Sequence, residues 1–201
     1  MDSFVTIASP CEAELKEKSS RFLAYAAPVA SREEAERLME QIRRTHYDAS
    51  HHCYAYRIGI GSEEVTRAVD DGEPAGSAGK PILSVIQGED LTNVLVAVTR
   101  WFGGIKLGVG GLARAYAESA KRVLELCRRI TCYETTVFEI EFPYQKLSPI
   151  LKVVEQFTAS VISTDYADTV RLYAKIRRSR AESFIAALQN ATAGRIKIEM
   201  Q

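Results

Sequence analysis

Residues 94–116 read VLVAVTRWFGGIKLGVGGLARAY, an apolar run that breaks into glycines and then resumes with helical spacing. The run from Leu91 to Thr99 is short, rich in β-branched residues and uninterrupted, as expected of a strand buried on both faces. From Leu112 to about Arg129 apolar residues recur every three to four positions, which predicts a helix. Between them lie Gly103, Gly104, Gly108, Gly110 and Gly111, five of the chain's twelve glycines. A strand, a glycine loop and a long helix therefore form the centre of a mixed α/β unit.

Upstream, Asp70 to Gly79 is turn-rich, with Gly72, Gly76, Gly79 and Pro74, and the apolar stretch from Pro81 to Ile86 follows as a short helix with proline in its first turn. His51 to Ile60 alternates as a strand, placing His51, Cys53 and Ala55 on one side and His52, Tyr54 and Tyr56 on the other. Ser31 with Glu34 three positions later is a capping-box signature for a helix over about 32–45. The segment 21–29 reads as a strand.

Downstream the order changes to strand Thr135–Phe142, helix Gln145–Phe157, strand Ser160–Tyr166, strand Thr169–Arg177, helix Ser179–Ala191 and strand Arg195–Met200. This β-α-β-β-α-β order predicts a ferredoxin-like layer, a four-stranded antiparallel sheet with two helices on one face. The fold class is thus α+β in two domains, 1–133 and 134–201.

The chain has 201 residues, is 46% hydrophobic and carries 26 basic against 26 acidic side chains. A balanced charge excludes a strongly basic nucleic-acid binder, so any cationic site is local. Cysteines at 11, 53, 127 and 132 show no C-x-x-C spacing and no secreted disulfide frame, and read as reduced thiols. The N-terminus lacks a basic and apolar leader pattern, and no apolar run approaches a membrane span. A soluble cytoplasmic protein without membrane contact is expected.

The chemistry concentrates between Asp70 and Arg114. Glycines free backbone N–H groups, and a helix start adds its positive dipole end, which together make an anion site. Arg100, Lys106 and Arg114 bracket that position, with Lys80 nearby, while Asp70, Asp71 and Glu73 form an acidic turn that holds the cations in place. Beside this stands a purely architectural reading, in which the glycines permit a tight crossing and the arginines pair internally. The loop matches no nucleotide motif: Pro74 and Pro81 break the phosphate-loop pattern around Gly79-Lys80, and Gly108-x-Gly110-x-x-Ala113 lies too far from its strand for a dinucleotide fingerprint. Neither a metal nor a cofactor is expected, although the 70–73 carboxylates offer oxygen ligands and His51 with Cys53 shares one strand face as a Cys-His nucleophile would. Trp101 and Phe102 flank the loop, where rings can stack on bases, but core packing is expected for at least one of them. Lys175, Arg177, Arg178 and Arg180 form a second basic cluster, read either as a surface for an acidic partner or as a charged strand edge.

Two long stretches, Asp70-Asp71-Gly72-Glu73-Pro74-Ala75-Gly76-Ser77-Ala78-Gly79-Lys80-Pro81-Ile82-Leu83 and Val98 through Tyr116, resemble the signature of the IMPACT/YigZ family. Ser20 to Ala24 and Ala49 to Tyr56 support it, so the family domain covers roughly residues 10–130 and the tail resembles the extra domain of bacterial members. Ser77, Trp101 and Val109 depart from the usual threonine, tyrosine and threonine. The resemblance implies that the first domain has the fold of the second domain of small-subunit ribosomal protein five and the tail that of the last domain of elongation factor G. It also implies regulation of translation, since eukaryotic members bind the activator of the starvation-responsive kinase that phosphorylates the alpha subunit of initiation factor two. RNA, a ribosomal element or a translation-associated protein is the implied partner. The alternative is an enzyme acting on a phosphorylated or acidic small molecule, with His51 or Glu73 as general base.

Overall fold

The computed structural model describes residues 2–201, and they divide into two compact units, Phe4–Thr131 and Cys132–Gln201 with residues 2–3. Together they give a two-domain α+β protein.

In the first unit the elements follow as β1 (Ser3–Ile7), β2 (Cys11–Glu17), β3 (Ser20–Pro28), α1 (Arg32–Thr45), β4 (His51–Ile58), β5 (Val65–Val69), α2 (Gly79–Gly88), β6 (Val94–Trp101), α3 (Gly108–Leu126) and β7 (Arg129–Tyr133). Five strands form one sheet in the order β2-β3-β6-β4-β5, and β1 pairs with β7 in a separate ribbon. The sheet is antiparallel throughout. β6 sits at its centre, which is why seven of its eight residues are buried and why its sequence shows no alternation.

Register sorts the strand side chains onto two faces. On one, Tyr54, Tyr56, Leu95 and Ala97 meet Ala35 and Met39 of α1. On the other, Ala24, Cys53, Ala55, Val96 and Val98 meet Ile82 and Ile86 of α2 and Leu112, Tyr116, Ala120 and Val123 of α3. Burying each large apolar side chain contributes about 1.5–3 kcal/mol, so the helices are held mainly by these faces. The α1 capping box is formed: Ser31 Oγ accepts from Glu34 N at 3.2 Å and the Glu34 carboxylate accepts from Ala30 N at 2.7 Å.

Helix α3 begins at Gly108, four residues ahead of the position expected from periodicity. Gly108, Gly110 and Gly111 therefore build its first turn, and only Gly103 and Gly104 belong to the loop. Apolar spacing could not reveal a turn made of residues without side chains.

The second unit contains β8 (Thr135–Phe142), α4 (Leu147–Gln156), β9 (Ser160–Tyr166), β10 (Val170–Arg177), α5 (Ala181–Thr192) and β11 (Lys197–Met200), with strand order β11-β8-β10-β9. Phe138, Ile140, Leu172 and Ile176 pack with Ile150, Phe184 and Leu188 in its core. Both helices start about two residues later than expected, because Tyr144–Lys146 and Arg178–Arg180 tighten into 3₁₀ turns. Among the described residues no helix is long and apolar enough to cross a membrane.

Candidate functional site

Pairing across the central strands puts Phe22, Arg100 and His51 opposite one another, and antiparallel partners point to the same face. Arg100 is thereby forced into the face covered by α2 and α3, where it is 4% exposed. A charge in that position must be compensated. Glu73 supplies the counter-charge from the loop between β5 and α2: Arg100 Nη1 donates to Glu73 Oε1 at 2.6 Å. Tyr116 of α3 donates to the same oxygen at 2.7 Å. Arg100 Nη2 donates to Ser20 Oγ at 3.2 Å, and the guanidinium lies 5.4 and 5.3 Å from the ring centres of Phe22 and Phe102. Its buried Nε has no partner.

The acidic turn works differently from the sequence expectation, in which it holds Arg100, Arg114 and Lys80. Among the described residues only Glu73 forms an ion pair with a cation of that set. Asp70 instead turns its carboxylate onto the N–H groups of Gly76, Ala78 and Gly79 at 2.8, 3.0 and 2.9 Å, closing the start of α2. Burial raises its pKa, but those N–H bonds and the charge of Lys80 outweigh burial and hold it below the ordinary aspartate value. Asp71 accepts from His52 N at 2.8 Å and lies 3.6 Å from Arg43. Carboxylates so engaged do not form a cation cage, and among the described residues no group of three or more His, Cys, Asp or Glu is placed to hold a metal ion.

The three residues His51, His52 and Cys53 separate as alternation requires. His52 faces α1 and lies 3.2 Å from Thr99 Oγ1, with its pKa lowered by burial. Cys53 lies inside the α2/α3 face, 2.9 Å from the Asp70 carbonyl and 3.3 Å from the Tyr116 hydroxyl, and burial pushes its thiol up to about 12. Burial and the raised pKa disfavour the thiolate that a Cys-His pair would use. His51 Nδ1 lies 2.9 Å from the Asp71 carbonyl, and its Nε2 is 3.9 Å from Glu73 Oε1.

His51, Glu73 and Arg100 line a cleft of about 480 Å³, closed by Phe102, Lys106 and the first turn of α3 from Leu107 to Leu112. That turn has no side-chain cap and no acidic residue, whereas α1 and α2 are both capped by side chains. Gly108 enters it at φ +71°, a conformation that favours glycine. The cleft is walled mostly by apolar groups, and among the described residues Lys106 has no ion-pair partner.

Arg114 is not in this cleft. It lines a neighbouring one of about 640 Å³ with Lys18, Lys121 and Arg122, and Leu107 is shared between the two. Lys80 is exposed on α2 and lines neither. The expected bracket of three cations is thus resolved into a buried, paired Arg100, a free Lys106 and an Arg114 on the far side of the helix start.

Trp101 and Phe102 both escape the core. Trp101 Nε1 donates to Asp48 at 2.9 Å under the guanidinium of Arg21, while Phe102 is 47% exposed at the cleft rim. Tyr116 was not singled out by the sequence reading. Its signal was a phenol on the buried stripe of α3, four residues after Leu112, since a buried hydroxyl requires a partner.

In the second unit the basic cluster is dispersed. Arg177 stacks 3.4 Å from the centre of the Tyr133 ring, Arg178 faces Glu134 at 3.6 Å, and Arg180 donates to the Phe157 carbonyl at 3.0 Å, at the C-terminal end of α4. Cations at a helix C-terminus are favoured by its dipole, which accounts for Arg180 locally. Lys175 stands exposed on β10.

Comparison with known proteins agrees over the whole chain. The model of the Impact N-terminal domain matches residues 18–124, and a second, described as a domain of unknown function (DUF1949), matches residues 140–195. An IMPACT family member of Haemophilus influenzae is 33% identical over 91% of this chain and 89% of its own length. IMPACT family member YigZ of Escherichia coli is 31% identical over 98% of both chains. A crystal structure of a hypothetical protein superposes with a TM-score of 0.74 at 30% identity, covering 98% of this chain and 97% of that one.

Proposed function

The chain belongs to the IMPACT family, and on that premise we propose that it is a cytoplasmic, translation-linked regulatory binding protein that receives a phosphate of RNA or of a ribosomal element in the cleft at the start of α3. One observation carries this reading: an unpaired Lys106 and an uncapped helix start meet in a single cavity. Arg100 stands behind them as a cation already neutralised by Glu73, so it shapes the wall rather than supplying net charge. The neighbouring cleft past Leu107 mixes Lys18 and Arg114 with Glu17 and with Arg122 paired to Glu118, so the charge offered to a phosphate rests on Lys106 and the helix start. We read the first unit as the fold of the second domain of small-subunit ribosomal protein five and the second as the ferredoxin-like last domain of elongation factor G, folds at home on ribosomes.

The test is binding of a labelled single-stranded RNA to the full chain, by fluorescence anisotropy, as salt is raised. Affinity should fall steeply with salt, and Lys106→Ala should weaken it and lower the slope by about 0.7 per lost phosphate contact. No association at low salt, or association indifferent to Lys106→Ala with Arg114→Ala, refutes the proposal.

A second reading, an enzyme acting on a phosphorylated or acidic small molecule, is favoured by the presence of His51 and Glu73 in one cleft of small-molecule size. Glu73 Oε1 already takes two donors, which leaves His51 as the available base. Turnover of phosphoesters that disappears in His51→Ala would support this reading over simple binding.

A further inference from the structure

His51 carries an acceptor that the protein leaves unused. Its Nδ1 lies 2.9 Å from the Asp71 carbonyl, which can only accept, so Nδ1 bears the hydrogen and the neutral ring keeps its lone pair on Nε2. Glu73 Oε1 is 3.9 Å from Nε2, beyond hydrogen-bond reach, and already receives Arg100 and Tyr116. The side chain is 24% exposed and lines the cleft.

Of the other polar groups lining that cleft, the Glu73 carboxylate is taken by Arg100 and Tyr116 and the Ser50 hydroxyl accepts from Phe102 N–H, which leaves the Lys106 ammonium and the N–H groups that open α3 as donors. Phe102, 47% exposed, and Val109, 59% exposed, add flat and apolar surface. A complementary ligand brings an anion, a planar apolar ring and one hydroxyl to donate.

We infer that this cleft accepts one ribonucleotide unit of a single RNA strand, with its phosphate at Lys106 and the start of α3, its base against Phe102 and its 2′-hydroxyl donating to His51 Nε2. The inference rests on the phosphate-binding reading of the same cleft and adds to it a selection of RNA over DNA. The 2′-hydroxyl is the group that separates the two polymers, and a site built to bond a hydroxyl discriminates against a ligand lacking it.

The experiment compares three labelled strands on the full chain in one buffer: oligouridine, the same strand in deoxyuridine, and the same strand 2′-O-methylated. Oligouridine should bind about three- to tenfold more tightly than the other two, the range of one hydrogen bond. His51→Ala should bring oligouridine down to the deoxy strand while leaving the deoxy strand unchanged. The methylated strand tests the same contact on the unaltered protein, so misfolding of the variant does not decide the outcome. Equal affinity for all three strands, with the salt and Lys106 dependence intact, overturns this inference and leaves the phosphate reading standing. Failure of every strand to bind overturns both. Uridine 5′-monophosphate binding as tightly as the strand overturns the strand assignment.

Discussion

The two basic regions of this protein look alike in sequence and differ in what the fold does with them. Lys175, Arg177, Arg178 and Arg180 crowd six residues, yet an aromatic ring, a carboxylate and a helix C-terminus engage the three arginines. Arg100, Lys106 and Arg114 are spread over fifteen residues, and among the described residues Lys106 and Arg114 line cavities without an ion-pair partner. Density of charge along a chain therefore says little about a binding site. What matters is whether local structure has already found partners for the charge.

The comparison breaks first, and hardest, at Glu73. Glu73→Ala leaves Arg100 buried without its carboxylate and should cost the first unit about 3–5 kcal/mol. Removing Glu134, whose Arg178 partner is 54% exposed, should cost the second unit at most about 1 kcal/mol. Chemical denaturation followed by amide resonances of each unit reads both, and equal losses would refute the contrast.

Asp70→Ala should come next, at about 1–2 kcal/mol, because it strips three N–H groups at the start of α2 of their acceptor. The acid limb gives the same test a sign. Asp70 is depressed below the ordinary 3.8, so its contribution is complete above that pH and is lost as pH falls through the lower folded value. In Asp70→Asn the first unit should show a flatter loss of stability below about pH 4 than the unaltered chain.

Arg180→Ala should cost about 0.3–1 kcal/mol, confined to the second unit, and leave RNA affinity where it was. Lys106→Ala should have the smallest effect on stability, within about 0.5 kcal/mol, while weakening RNA binding. Reversal of that last pair, affinity lost with Arg180 and kept without Lys106, would move the site to the other unit.

Much of the fold was legible because it is written in local chemistry. Ser31 and Glu34 announce α1, alternation from His51 sorts two histidines to opposite faces, and the tail declares its element order through apolar period alone. The strands that went unread, β1, β2, β5 and β7, are short or edge elements. β2, with Glu12, Glu14, Lys16 and Glu17 among seven residues, carries the charges that keep an edge from pairing further and so hides its strand signal. At the site, Arg100, Lys106, the glycines and the acidic turn were all visible, but their partnerships were not. Which of Asp70, Asp71 and Glu73 meets Arg100 depends on a loop path, with Asp71 at φ +45° and Gly72 at φ +88°, that no spacing rule encodes. Tyr116 joins the pair only because α3 packs over β2, β3 and β6.

Gly103 has a consequence of its own. A side chain there would place Cβ 2.0 Å from the carbonyl oxygen of Ser19, at the turn between β2 and β3, and its N–H donates to Ser20 Oγ at 3.3 Å, while the neighbouring Phe102 N–H donates to Ser50 Oγ at 3.0 Å. The segment leading to Lys106 is thus riveted to the sheet before any ligand arrives. A segment anchored in this way would spend little ordering entropy on capturing a ligand. Encounter rates should follow charge and diffusion, rising as ionic strength falls.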